Sequence, residues 1–138
     1  PSGYTMAATS AYDGTSPAWK AMNKSAGSGY GNGWSSSAQA TSGSPQILTF
    51  TSSTANTCYT YSIQIRSDSN TTAPIAWKLQ GSNDGSAWTD LDTVTGQSWS
   101  NGETKTYTTD TPGSYTQYRL NITDSGALCQ IDEWRMYA

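Results

Sequence analysis

Apolar and polar residues alternate over much of the second half of this chain. Tyr59, Tyr61, Ile63 and Ile65 occupy every second position, with Thr60, Ser62, Gln64 and Arg66 between them. A period of two puts the two sets on opposite faces of an extended backbone, so the stretch reads as a half-buried strand. The same alternation sets Trp77, Leu79 and Gly81 against Lys78 and Gln80, and a return follows through Trp88, Leu91 and Val94. Gln46 to Phe50 is a short apolar run, and Thr104 to Thr109 is rich in Thr and Tyr. Tyr115 to Thr123 reads as a strand through Tyr118, Leu120 and Ile122, and Leu128 to Tyr137 closes the chain. No segment carries a helical period, and there is no internal repeat.

Turn chemistry separates these runs. Asn83-Asp84-Gly85 supplies a tight reversal between the Trp77 and Trp88 strands, because Asn, Asp and Gly tolerate positive φ. Asn101-Gly102 and Pro112-Gly113 are further turn signals. About seven strands joined in this way specify an all-β, antiparallel β-sandwich. Residues 1–44 are loop-rich, with Gly and Ser clusters and aromatics at Tyr4, Tyr12, Trp19, Tyr30 and Trp34. The 138 residues are expected to form one domain, 1–138. Pro1-Ser2-Gly3 reads as the edge of a domain belonging to a longer protein, and no signal peptide is visible.

Composition sharpens this picture. Six Trp and nine Tyr stand against a single Phe, and only 12% of the residues are charged. Abundant Thr and Tyr with little charge favour strands and short polar turns, and aromatics at this density oppose disorder. A formal charge of −3 with seven scattered Lys and Arg argues against nucleic acid. No run approaches the ~18 apolar residues of a membrane span. Cys58 and Cys129 both lie in apolar, strand-like surroundings, which leaves buried thiols and a single disulfide equally open.

Read together, several segments resemble a discoidin (coagulation factor 5/8 type C) domain. Pro17-Ala18-Trp19-Lys20-Ala21-Met22-Asn23 is similar to the family's opening motif, and Trp34-Ser35-Ser36 to its next one. Tyr61 to Arg66, the Trp77 hairpin, Tyr115 to Ile122 and Ile131 to Tyr137 follow in the family's order. The resemblance implies an eight-stranded jelly roll, galactose-binding-like, whose loops bind ligands at one end. Family 32 carbohydrate-binding modules and the membrane-binding domains of clotting cofactors are among its relatives.

Histidine is absent, which removes the commonest general base and any Ser-His arrangement. Asp132 and Glu133 are adjacent on an expected strand and so point to opposite faces, which does not make a catalytic carboxylate pair. The chain is therefore read as non-catalytic.

For calcium, the resemblance points to Asn23, Asn32 and Glu133. Asn stands where the family has Asp, and Lys24 where it has Gly, which weakens a site for a cation that prefers charged oxygens. The alternative is that Glu133 pairs with Lys24 or caps the N-terminal loop.

For sugar, the resemblance points to Arg66 and Asn70, whose planar donors and acceptors suit paired hydroxyls. A rim salt bridge from Arg66 to Asp68 is the alternative. Trp19, Trp34, Trp77, Trp88 and Trp134 read as core. Trp99 and Tyr30 are lone rings in polar loops, each a candidate stacking residue or a plug for the sandwich end. Asp124, in Asp124-Ser125-Gly126-Ala127, belongs to another loop that relatives place at the binding end. The family's galactose-binding His has no counterpart.

The expected function is a carbohydrate-binding module that attaches a larger extracellular or virion-surface protein to a polysaccharide or cell-surface glycan. An assembly or protein-interaction domain of a phage tail or cell-surface protein is the alternative. Membrane recognition would need exposed apolar spikes with basic neighbours, which no loop shows.

Overall fold

The computed structural model describes residues 3–24 and 32–138. Among these are ten strands: β1 (Tyr4–Ala8), β2 (Trp34–Ser35), β3 (Gln46–Thr57), β4 (Thr60–Gln64), β5 (Pro74–Ser82), β6 (Thr89–Val94), β7 (Thr104–Thr108), β8 (Ser114–Ser125), β9 (Gln130–Ile131) and β10 (Glu133–Tyr137). One 3₁₀ turn, Ala18–Met22, precedes β2. Every pairing is antiparallel. Strands β1-β3-β8-β5-β6 form one sheet, β10-β4-β7 the second, and β2-β9 a short ribbon.

The alternation decides what is buried. Trp77 and Leu79 of β5, Tyr118, Leu120 and Ile122 of β8, and Leu48 of β3 line the inner face of the larger sheet. Tyr61, Ile63 and Trp134 face them from the smaller one. Burying such side chains contributes about 1.5–3 kcal/mol each before entropy is counted. Strand β3 continues well beyond the apolar run at Gln46 to Phe50, because its Ser- and Thr-rich second half pairs with β8 across a register shift between Thr51 and Asn56.

The Trp77 hairpin forms as expected, with Trp77 opposite Val94 and Gly81 opposite Thr89. Asp84 Oδ1 accepts the Ser86 and Ala87 amides at 2.8 and 2.9 Å, and Gly85 turns at φ 76°. Those amide bonds hold the Asp84 carboxyl below its usual range. Two of the tryptophans expected in the core lie elsewhere. Trp19 is 52% exposed on the 3₁₀ turn, and Trp88 is half-buried beside the hairpin turn with the Arg119 guanidinium 4.1 Å from its ring.

A polar chain runs through the core. Trp77 Nε1 donates to Tyr61 Oη at 3.0 Å, and Tyr61 Oη donates to Asp92 Oδ2 at 2.6 Å. Burial raises the Asp92 pKa, although the Tyr61 bond pulls the other way. A carboxyl whose pKa is higher folded than unfolded binds its proton more tightly in the fold. Its contribution is therefore most favourable below the unfolded value and is lost as pH rises through the folded one. Asp92→Asn is accordingly expected to gain stability over wild type at pH 7, with the advantage vanishing toward pH 3 in denaturant melts. An advantage that did not change with pH would contradict this.

The two ends of the sandwich differ. One carries short reversals: Cys58–Tyr59, the Asn83-Asp84-Gly85 turn and residues 109–113. The other carries the longer loops 9–24, 36–45, 65–73, 95–103 and 126–132, and is called here the loop end. Cys58 precedes β4 at the turn end, whereas Cys129 lies near Arg66 and Gln130 at the loop end. The length of β4 puts on the order of 20 Å between them, against about 7 Å at most for a disulfide. Both are buried free thiols, and burial pushes both pKa values up.

Candidate functional site

Three loops converge at the loop end. Gly126 N–H donates to the Ala73 carbonyl at 3.2 Å, Ala127 N–H to Thr71 at 3.2 Å, and Gln130 N–H to Thr72 at 2.8 Å, which binds loop 126–132 to loop 65–73. Asn70 Nδ2 donates to the Trp99 carbonyl at 2.7 Å and joins loop 95–103 to the pair. Between them lies a cleft of about 300 Å³. Asn70, Thr71, Gln97 and Ser98 supply its polar lining, Ala73, Ile75 and Trp99 its apolar lining, and Gly126 contributes backbone. No charged side chain lines it.

Trp99 is held tightly. Its Nε1 donates to the Pro74 carbonyl at 2.8 Å, and its ring stacks on Trp77 with centroids 6.4 Å apart. Lys105 Nζ lies 4.7 Å from the ring centroid and donates to the Ser98 carbonyl at 2.5 Å. Only 7% of the residue remains exposed. Of the two readings open for this ring, the structure shows the plug: the indole folds back onto the core. Trp99 thus offers the cleft an edge, not an open face.

Arg66 lies behind the cleft and does not line it. Its Nε and Nη2 donate to the two Asp68 carboxylate oxygens at 2.6 and 2.8 Å, and Nη1 donates to Gln130 Oε1 at 3.2 Å. Gln130 Oε1 also accepts from Thr72 Oγ1 at 3.2 Å. The guanidinium, on a residue only 8% exposed, braces loop 65–73 against β9. Asp124 is exposed near the end of β8, opposite Ala76, and does not line the cleft. Tyr30 lies outside the described residues.

Of the sequence-expected residues, then, the structure brings Asn70 and Trp99 together at the cleft and puts Arg66 and Asp68 in its frame. It adds Thr71, Gln97 and Ser98, which adjoin Asn70 or Trp99 in sequence, so proximity to those residues was the available signal.

Asn23 caps the 3₁₀ turn, its N–H reaching the Lys20 carbonyl at 3.5 Å, and that turn packs on β10, where Glu133 is the first residue. Glu133 is buried, with Arg135 Nε 3.4 Å from its Oε2. Asn23, Asn32 and Glu133 thus bring one carboxylate, already facing a cation, and two neutral amides. Among the described residues no cluster of three His, Cys, Asp or Glu side chains occurs. These three residues supply one charged oxygen donor group, where calcium prefers several.

No protein-family model matches the chain, and no curated protein does. Solved structures do. A family 32 carbohydrate-binding module from NanJ of Clostridium perfringens, in complex with galactose, superimposes with a TM-score of 0.78 at 22% identity over 98% of this chain and 93% of that one. The fold is discoidin-like. A second C. perfringens module, in complex with GalNAc-β-1,3-galactose, matches the discoidin-like domain at TM-score 0.79 and 18% identity, covering 98% of this chain and 95% of that one. A chitosan-binding module from a chitosanase/glucanase of Paenibacillus sp. IK-5, in complex with chitotriose, gives 0.73 at 19% identity over 99% and 97% of the two chains. At these identities the likeness establishes the β-sandwich of the domain, with its chain order, and the site must be argued from its own residues.

Proposed function

We propose that the domain is a non-catalytic carbohydrate-binding module whose ligand enters the cleft beside Asn70 and Trp99. The observation that carries this reading is the lining itself: two side-chain amides and two hydroxyls around an apolar floor of Ala73, Ile75 and the Trp99 edge. Amides and hydroxyls both donate and accept, as sugar hydroxyls require, and the apolar floor suits pyranose C–H groups. Gln97, bonded to Thr95 and Tyr107, is held in place, which leaves Asn70 Oδ1 and the two hydroxyls as the groups facing a ligand. That structural neighbours were solved with galactose, GalNAc-β-1,3-galactose and chitotriose is consistent with it. A shallow site of this kind gives affinities of about millimolar to micromolar, raised by multivalency. Its setting would be an extracellular or virion-surface protein that the module attaches to a glycan.

Calcium has no assigned part in this proposal. On a glycan array the wild type is expected to bind at least one oligosaccharide, equally in EDTA and in calcium chloride. Asn70→Ala is expected to lose about tenfold in affinity, or about 1.4 kcal/mol. Binding to no glycan would end the proposal, and loss in EDTA would return calcium to the site. The commitment of Arg66 to Asp68 and Gln130 favours the assembly reading, in which these loops serve only packing. An empty array together with concentration-dependent self-association would select it.

A further inference from the structure

A side cavity of about 480 Å³ opens between β1 and β10, the edge strands of their two sheets. Tyr4, Phe50, Trp134 and Met136 line it, together with Lys24, Arg135, Glu133 and the C-terminal Ala138. Two cations meet two carboxylates there, so no net charge selects an occupant. The loop-end cleft differs, because no charged side chain lines it at all.

The chain has seven Lys and Arg, and each is engaged away from the cleft. Lys20 donates to the Thr15 carbonyl, and Lys24 and Arg135 lie at the side cavity. Lys78 pairs with Asp90, and Arg119 donates to Gln80 Oε1. Arg66 holds Asp68 and Gln130. Lys105 is tied to the Ser98 carbonyl and lies over the Trp99 ring, outside the lining. On the three loops that build the cleft, the carboxylates Asp68, Glu103 and Asp132 outnumber the single cation Arg66.

The groups left to a ligand complete the picture. Asn70 Nδ2 is spent on the Trp99 carbonyl, so Asn70 presents Oδ1 beside the hydroxyls of Thr71 and Ser98. A sugar hydroxyl can donate to all three, whereas a carboxylate only accepts. A carboxylate entering the cleft would also lose hydration with no cation to offset it, which costs far more than desolvating a hydroxyl. We propose that the cleft admits neutral pyranose units and excludes acidic ones, uronic acids above all. This rests on the glycan reading of the cleft and adds its charge specificity.

The test titrates the whole domain with the methyl glycosides of galactose, glucose and mannose, with the three matching uronates, and with the methyl esters of those uronates. The esters restore neutrality at nearly the same size. At least one neutral glycoside is expected to bind, its uronate about tenfold more weakly or worse, and the ester within about threefold of the parent. Thr71→Lys, at an exposed position on the cleft wall, is expected to remove the difference by placing an ammonium there. A uronate that binds as tightly as its parent, or an ester as weak as the acid, overturns the proposal and leaves a glycan in the cleft. So does a Thr71→Lys domain that melts like the wild type and still rejects the acid. Binding by no neutral glycoside overturns it too, and an empty glycan array besides would remove the glycan reading itself.

Discussion

Trp77→Ala is expected to cost about 3–5 kcal/mol of unfolding free energy, the largest effect of any single substitution considered. Trp77 is buried at the centre of β5, stacks on Trp99 and meets the Tyr107 ring edge-on at 5.2 Å. Truncation to Ala removes those contacts and leaves a cavity that neighbours on two sheets cannot fill without moving strands. It also removes the N–H that Tyr61 Oη accepts, in a place where water does not reach. Domains of this size are stable by about 5–15 kcal/mol, and the melting temperature should fall by on the order of 15 °C. Trp77→Phe keeps most of the packing and loses only the donor, so it should fall between the two. Calorimetry on the three proteins checks this, and a drop of a few degrees for Trp77→Ala would show that the core is less dependent on β5 than argued. Because Trp99 rests on Trp77, glycan binding should weaken as well.

The second large effect is expected at Gly126→Ala. A Cβ there would lie 1.8 Å from the Thr71 carbonyl oxygen and 2.6 Å from its carbon. Both are backbone atoms in a loop held by three main-chain hydrogen bonds, so no side-chain rotation relieves the clash. The glycine is required by proximity and not by an unusual φ, since Gly126 is not among the positive-φ residues. Loops 65–73 and 126–132 must separate, at a cost of about 1–3 kcal/mol. Asn70 and Thr71 move with them, so glycan affinity should fall more than tenfold while the far end of the sandwich is unaffected. Isothermal titration with the array-identified sugar, alongside a melt, distinguishes the two losses. Retained affinity would place the ligand somewhere other than this cleft.

The sandwich was legible because its signals are local. Alternation at Tyr61 to Ile65 and at Trp77 to Leu79, with Asn83-Asp84-Gly85 between neighbouring strands, determines faces and turns without distant information. The second half of β3 was not legible, since Thr51 to Thr57 shows no apolar alternation and becomes a strand only through β8. The candidate site was half legible for the same reason. Asn70 and Trp99 stood out as polar and aromatic residues in loops, but their mutual contact spans 29 positions. Arg66 read either as a ligand contact or as a salt bridge to Asp68; the bridge forms, while the contact with Gln130, 64 residues away, could not be seen. Trp19, expected in the core, is exposed, and Trp99, open to either reading, is the buried plug. Local polarity around an aromatic ring does not tell which way a loop folds.

Tyr4 and Ala138 line the same side cavity, so the two ends of the described chain are neighbours. They lie toward the end of the sandwich that carries the Asn83-Asp84-Gly85 turn, on the order of 30 Å from Gly126 and the cleft. A carrier, bead or second module joined through either end would therefore leave the cleft directed away from the junction. Tandem copies on short linkers could meet a repeating glycan without obstructing one another, which makes the domain suited to gaining strength by number.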